Sequence, residues 1–341
     1  MSTPRRGRRR RRSWSRTMLL ATALTLFFIT TAVGIYKCLV RPPSLEGKPH
    51  SSNSSGSAQS SAFSDEEAAA AAARAAHLER KDNYYLILIS GVDDGNGGSD
   101  TNILLSVDAE QGQIHGVSIP RDTKALIHGK TRKINFAYNS GGSELMAQTV
   151  SEQLGVPVDF TITVGLGGFS ALVNAIGGVD FYVPVNMDYD DPVQDLHIHF
   201  TKGLHHLTGK EAMEVVRFRH NNDGTGYGSE DIGRMQTQQD FLKAVAKKVL
   251  QPANLTRVSE FVRIFDQYVD TDLSLGNLAW LGETAFSAGP ENISFTTLPG
   301  EWIPNYIYLD PDATLAMVNE YLNPYVEDRV AEDLALMPRP S

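Results

Sequence analysis

The chain has 341 residues, 41% hydrophobic and 21% charged, with a net charge of −9. That balance supports a packed core and, with a single cysteine, excludes a disulfide-stapled scaffold. Charge is unevenly spread: residues 1–40 hold eight arginines, Lys37 and no acid, so the remainder stands near −18 and argues against nucleic acid as its partner.

Residues 1–17 read as an Arg-rich cytoplasmic tail. Residues 18–36 are an uncharged run that spans ~28 Å as a helix, about one hydrocarbon core. The run is long for a cleavable signal, and Lys37-Cys38-Leu39 is no small-residue cleavage site, so 18–40 is expected to be an uncleaved signal anchor. The positive-inside rule puts everything after it outside the cell membrane, in single-pass topology. Residues 41–64 are rich in Ser, Pro and Gly, the composition of a flexible tether. Residues 65–81 turn to Glu and Ala, with Ser64 and Glu67 as a capping pair, which predicts a helical stalk and a 41–82 linker.

The main domain is expected over 83–325, followed by a 326–341 tail. Residues 84–92 are continuously apolar, as in a strand buried on both faces. They end at Asp93-Asp94, and Ser99-Asp100-Thr101 opens a second strand over 102–107. A third strand, 114–119, ends in Pro120-Arg121-Asp122-Thr123. Helices are predicted over 144–154, 168–176, 231–250, 258–269, 275–286 and 314–321, and strands over 158–164, 179–183, 195–200 and 293–298. A further helix starts at Thr208-Gly209-Lys210-Glu211. Strands interleaved with helices indicate an α/β domain.

Ligands in α/β sheets sit at strand ends, and three strand ends here carry Asp or Arg. Asp93 and Asp100, short carboxylates at adjacent ends, suit one Mg²⁺ or Mn²⁺. In Val216-Arg217-Phe218-Arg219-His220, the two arginines share a face if the backbone is extended. After a Gly-rich loop, Asp231, Arg234 and Gln238 fall at i, i+3 and i+7 on one helix face. Three guanidiniums, a carboxylate and an amide then converge, and arginine is suited to bidentate capture of phosphate. A solvated helix face with surface arginines is the alternative. His197, His199, His205 and His206 have neither a cysteine nor a helical i, i+4 pair beside them, and they read as an exposed strand edge and turn rather than a metal site.

The blocks R-x-R-H (Arg217 to His220), D-x-G-R (Asp231 to Arg234) and Gln238-Gln239 resemble the hallmark of the LytR-CpsA-Psr family. Gly91-Val92-Asp93, Ser99-Asp100-Thr101, Ser118 to Asp122 and Lys133-Ile134-Asn135 match further family blocks in order, as does Gly168 to Val179. The resemblance covers about residues 83–322. It implies a mixed central sheet flanked by helices, preceded by one transmembrane helix. It also implies an enzyme that moves a glycopolymer from a polyprenyl-pyrophosphate carrier to a peptidoglycan hydroxyl, releasing polyprenyl phosphate. Under it, Arg121, Arg217, Arg219 and Arg234 hold phosphates, Gln238 orients a phosphate or an arginine, and Asp122 or Asp231 serves as base. The lipid tail would run between sheet and helices, bordered by Gly165, Gly167, Gly168, Phe169 and Leu172. This chain departs from the family pattern at Gly98 and Thr237, where arginines are usual, at Phe136, where His is usual, and at Asn174, where an acid is common. A pyrophosphate-lipid hydrolase, or a non-catalytic lipid-binding envelope regulator, are the competing readings.

Overall fold

β1 (Tyr84–Val92) is the innermost strand, and its burial on both faces decides the layering. The computed structural model describes residues 40–45, 78–92, 98–193, 195–228, 230–251, 253–254 and 258–339, with backbone only at 230–232 and 258–259. After β1 come β2 (Ser99–Asp108), β3 (Gln113–Ser118), β4 (Lys124–Ile127), β5 (Lys130–Lys133), α1 (Asn135–Leu154), β6 (Phe160–Gly165) and α2 (Leu166–Ala175). β7 (Val179–Val183), β8 (Met187–Asp191), β9 (Leu196–Phe200), β10 (Gly203–Leu207), α3 (Gly209–Arg217) and α4 (Glu230–Val249) follow. The chain closes with α5 (Val258–Tyr268), β11 (Val269–Thr271), α6 (Leu275–Ala288), β12 (Ile293–Thr297), β13 (Gly300–Ile303), β14 (Tyr306–Leu309) and α7 (Pro311–Met317).

The main sheet has the order β11-β6-β1-β2-β3-β12. β1 runs parallel to β6 and β3 parallel to β12, while the other neighbours are antiparallel, so the sheet is mixed as expected. Side chains of β1 alternate between two helical layers. Tyr84, Leu86 and Leu88 pack with Met146, Val150 and Leu154 of α1. Tyr85 and Ile87 pack on the other side with Leu278, Trp280 and Leu281 of α6, the Tyr85 ring edge-on to Trp280 at 5.5 Å. A separate apolar cluster joins α2, β7, α3 and α4 through Val173, Phe181, Val215, Phe218 and Phe241.

Several boundaries differ from the expectation. α1 begins at Asn135 and continues through a break at Gly141 and Gly142 (φ −156° and 65°). These two glycines make the sequence pattern start late, although the helix resumes in register with its buried face. Residues 78–82 are not the end of a stalk helix: Arg80 bridges to Tyr325 and pairs with buried Asp159, whose carboxylate also accepts the Leu86 amide at 2.8 Å. Part of the expected tether lies on the domain. Pro43 is buried, Leu45 packs against the α6-side cluster, and the Arg41 carbonyl accepts from Asn277 at 3.1 Å. The C-terminal stretch also returns to the fold, with Asp333 and Leu334 buried. The predicted span at 18–36 and residues 65–77 of the predicted stalk lie outside the described residues. Among the described residues, no helix is long and apolar enough to cross a membrane.

Thr208 caps α3 with a reciprocal Thr208–Glu211 box, and Gly209 is wedged against α2. A Cβ on Gly209 would lie 2.1 Å from the Ser170 carbonyl oxygen. Gly209→Ala should therefore displace α3 and cost roughly 1–3 kcal/mol. The check is a lower urea midpoint with unchanged slope; an unchanged midpoint would show that the contact yields freely.

Candidate active site

The site forms at one edge of the sheet, where β1, β3, β6 and β12 end and β2 begins. Gly91 pairs with Thr101, and a Cβ there would come within 3.2 Å of the Thr101 Cβ. The register then shifts so that Val92 pairs with Ser99. In Ser99-Asp100-Thr101 the serine is fully buried and the Asp100 side chain is half exposed at the rim. From the opposite side, β3 ends in a turn fixed by the Ile119 amide on the Asn102 carbonyl (2.8 Å) and the Thr123 amide on the Pro120 carbonyl (2.9 Å). This turn brings Arg121 onto Asp100, its Nη1 donating to Oδ1.

The contact belongs to a chain of alternating charge. Arg121 Nε also lies 3.8 Å from Asp122 Oδ1, and Lys133 Nζ lies 2.7 Å from the same oxygen, off the hydrogen-bond direction. Asp100, Arg121, Asp122 and Lys133 thus run in sequence along the rim. Lys133 was not among the predicted site residues, although its Lys-Ile-Asn block was visible in the sequence. It enters because the Ile134 amide bonds to the Thr123 carbonyl and the Asn135 amide to the Arg121 carbonyl. A side chain at Gly98 would point toward Asn135 and Asn139, so an arginine there would share this rim. Asp93 lies outside the described residues.

The second set of cations is placed by α3 and α4. Here the expectation of extended backbone at Arg217 fails. The Thr208 capping box starts a helix that runs through Arg217, and the backbone becomes extended at Phe218 (φ −60°, ψ 133°). Phe218 is fully buried and edge-on to Tyr227 at 5.5 Å, which turns the chain sharply out of α3. Arg217 is consequently half-buried at the helix end and Arg219 is exposed. The Gly-rich loop closes through a His220–Gly226 bridge and the Asn221 amide on the Thr225 carbonyl, 2.7 Å. Tyr227 then packs on Gly233, where a Cβ would come within 2.5 Å of the tyrosine Cβ. That close approach gives the D-x-G-R glycine its physical reason.

Asp231, Arg234 and Gln238 share α4 as predicted; the side chain of Asp231 lies outside the described residues. Arg234 stands near Tyr227, whose hydroxyl is pushed up by burial, against which Thr237 and the Arg234 charge act. Thr237 is buried and returns its hydroxyl to the Gly233 carbonyl at 2.9 Å, so this position serves packing rather than the rim. Gln238 is fixed to the protein backbone, where its amide donates to the Val216 carbonyl at 2.9 Å. It thereby secures the turn just before Arg217. The neighbouring Gln239 donates to Thr297 Oγ1 at 2.6 Å, at the end of β12. Thr297 pairs with Ser118 of β3, three residues before Arg121. Adjacent amides on α4 thus connect both cation-bearing segments.

The residues expected to border a lipid groove take part in helix packing. Gly167 and Gly168 admit Tyr268 of α5, and the Phe169 ring lies tilted against Phe241 at 5.8 Å. His197 and His199 face outward on β9, as expected for an exposed strand.

The fold is that of a mixed-sheet α/β domain, with Arg121 and its carboxylate partners at the strand ends and further arginines on the neighbouring helices. The chain belongs to the LytR_cpsA_psr family, whose family model matches residues 50–322. It is 40% identical over 193 residues to the polyisoprenyl-teichoic acid–peptidoglycan teichoic acid transferase TagU of Bacillus cereus, covering 55% of this chain and 60% of that protein. To the TagU of Halalkalibacterium halodurans it is 32% identical over 253 residues, 71% of this chain and 79% of that one. The match to Bacillus subtilis TagV, 29% identical, covers 63% of that protein, so two of these relatives are spanned over less than two thirds of their length. Among solved structures, the crystal structure of B. subtilis TagV aligns with a TM-score of 0.57 at 27% identity, over 68% of this chain and 92% of that one. TagT bound to LIIa-WTA aligns at 0.54 and 25% identity, over 70% and 89%.

Gln238→Leu leaves the Val216 carbonyl without its partner in a partly buried turn. The expected cost is roughly 1–3 kcal/mol in unfolding free energy. Equal stability of variant and parent in guanidinium would mean that water replaces the amide at no loss.

Proposed function

We propose that the chain transfers a glycopolymer phosphate from a polyprenyl-pyrophosphate carrier to a peptidoglycan hydroxyl. The observation that carries this reading is the joining of two cation sets, Arg121 with Lys133 and Arg217 with Arg219 and Arg234, by the Gln238–Gln239 pair. Teichoic acid is the favoured cargo, because the similar TagU proteins are teichoic acid transferases and the structurally similar TagT is bound to LIIa-WTA. Residues 18–36 would hold the domain at the outer face of the membrane, where such a carrier resides.

A pyrophosphate is strongly anionic, and each close Arg–phosphate pair at the surface is worth ~4 kcal/mol before desolvation. In this reading Arg217, Arg219 and Arg234 hold the phosphate that leaves with the lipid. Arg121 holds the phosphate that is transferred. The acceptor hydroxyl attacks the phosphorus bearing the glycan, the bridging P–O bond breaks, and its electrons leave on the polyprenyl phosphate. The hydroxyl proton passes to a carboxylate, Asp122 or Asp231. Asp122 already touches Arg121 and Lys133, a position suited to fixing those cations, which favours Asp231 as base.

Asp100, half exposed at the rim, would offer a hard oxygen to Mg²⁺ or Mn²⁺, and Asp93, which follows β1 in the sequence, would be the second acid. Such an ion supplies charge neutralisation on the phosphoryl oxygens. Asp100 meanwhile sets the orientation of Arg121 through their direct contact.

Arg219 is exposed and its charge alone does not explain the R-x-R pattern, so a lysine there separates charge from shape. Arg219→Lys should weaken binding of a polyprenyl-pyrophosphate analogue roughly ten- to a hundredfold, because the planar fork is lost. Arg339→Lys, on a surface arginine that pairs with Glu301 and Asp310, should change binding by less than about 0.5 kcal/mol. Equal affinity in both variants would overturn the clamp. With lipid-linked polymer and a glycan acceptor, the expected products are polyprenyl phosphate and a polymer–glycan phosphodiester. Free polymer phosphate instead would indicate hydrolysis.

A further inference from the structure

The antiparallel β8–β9 hairpin carries a cluster that the proposed transfer does not use. Its register sets Asp188 opposite His199 and Asp190 opposite His197. All four side chains lie on the outward face, while Met187, Leu196 and Ile198 fill the inner one. His197 Nδ1 contacts Asp190 Oδ1, and His199 Nε2 approaches the same oxygen at 3.4 Å. One donor atom from each of Asp190, His197 and His199 lies within 4.8 Å of the others. Tetrahedral zinc with bonds of ~2.0–2.1 Å sets its ligand atoms ~3.3 Å apart, a small adjustment from this arrangement. The remaining ring nitrogen of His199, Nδ1, is already held by Asp188 at 2.8 Å. A carboxylate behind a ligating imidazole orients the ring and raises its basicity, as outer partners do at zinc centres.

We propose that Asp190, His197 and His199 form a binding site for one zinc-class divalent ion, with Asp188 orienting His199. Two imidazoles and one carboxylate are a borderline donor set, which selects zinc over the hard Mg²⁺. Three protein ligands leave one position for water. The site is anchored to the loop behind the arginines. Asn221 Oδ1 accepts the Asp188 amide at 2.6 Å, and Asn222 Oδ1 accepts the Asp190 amide at 2.7 Å. Tyr189, between the two acids, stands edge-on to His220 at 5.8 Å. An ion on the hairpin thus stiffens the strand to which the segment following Arg219 is bound.

The test uses the untagged full chain in detergent, stripped of metal and titrated with zinc chloride alone against a chromophoric chelator. Neither lipid nor acceptor is present, so the result stands apart from transferase activity. One equivalent is expected to bind, with affinity reduced at least roughly tenfold in His199→Ala and in Asp190→Asn. His206→Ala is the control, because His206 pairs with Asp180 across the β7–β10 pair by a similar contact but lacks a second imidazole. All four side chains are exposed, and circular dichroism verifies that the variants fold. No stoichiometric binding, or loss of affinity equal in His206→Ala and His199→Ala, would overturn the site.

Discussion

Two neighbouring amides on one helix hold the candidate site together. Successive residues on an α-helix point about 100° apart, so adjacent side chains meet different neighbours. Gln238 reaches the backbone where α3 ends, and Gln239 reaches the end of β12. The arginines of α3 and α4 and the cations of the sheet rim, Arg121 and Lys133, come from segments about a hundred residues apart. Neither segment fixes the other by local geometry. Helix α4 supplies the common reference, and its own position rests on Phe241 in the core beneath it.

The rim has its own internal logic. Asp100, Arg121, Asp122 and Lys133 alternate in sign, so each charge stands next to its opposite. Exposed pairs of this kind contribute little to stability, because water screens them and their side chains lose freedom. Their value lies in orientation. Arg121 is aimed by one carboxylate on each side, and the chain beyond residue 40 is otherwise acidic. An anionic ligand therefore finds cations already set in direction, in a place where most of the surface would repel it.

Much of this was legible in the sequence, for physical reasons that differ from element to element. The apolar run of β1 has a single comfortable location, between two layers, and the structure puts it there. Asp100, Arg121 and Asp122 could be grouped because strand ends concentrate polar loops. The extended backbone expected at Arg217 is absent because the capping box at Thr208 sets a helix that runs through it, and this outweighs the spacing of the two arginines. The role of Gln238 was hidden by distance, since its acceptor lies 22 residues away on another element. The same holds for His197 and His199. Each faces an aspartate only through the β8–β9 register, which no local pattern displays.

The docking of residues 40–45 beside α6 changes the length of the leash. If the linker ran free from 37 to 82, it would allow the domain to roam far from its anchor, since an extended chain covers ~3.3–3.6 Å per residue. With Arg41 held by Asn277 and Leu45 packed below, only residues 37–40 separate the predicted span from the first docked residue, a reach of less than ~20 Å. If residues 18–36 anchor the chain as proposed, orientation at the bilayer would be set by which face residue 41 touches, and a carrier embedded there would meet the domain in one attitude rather than many.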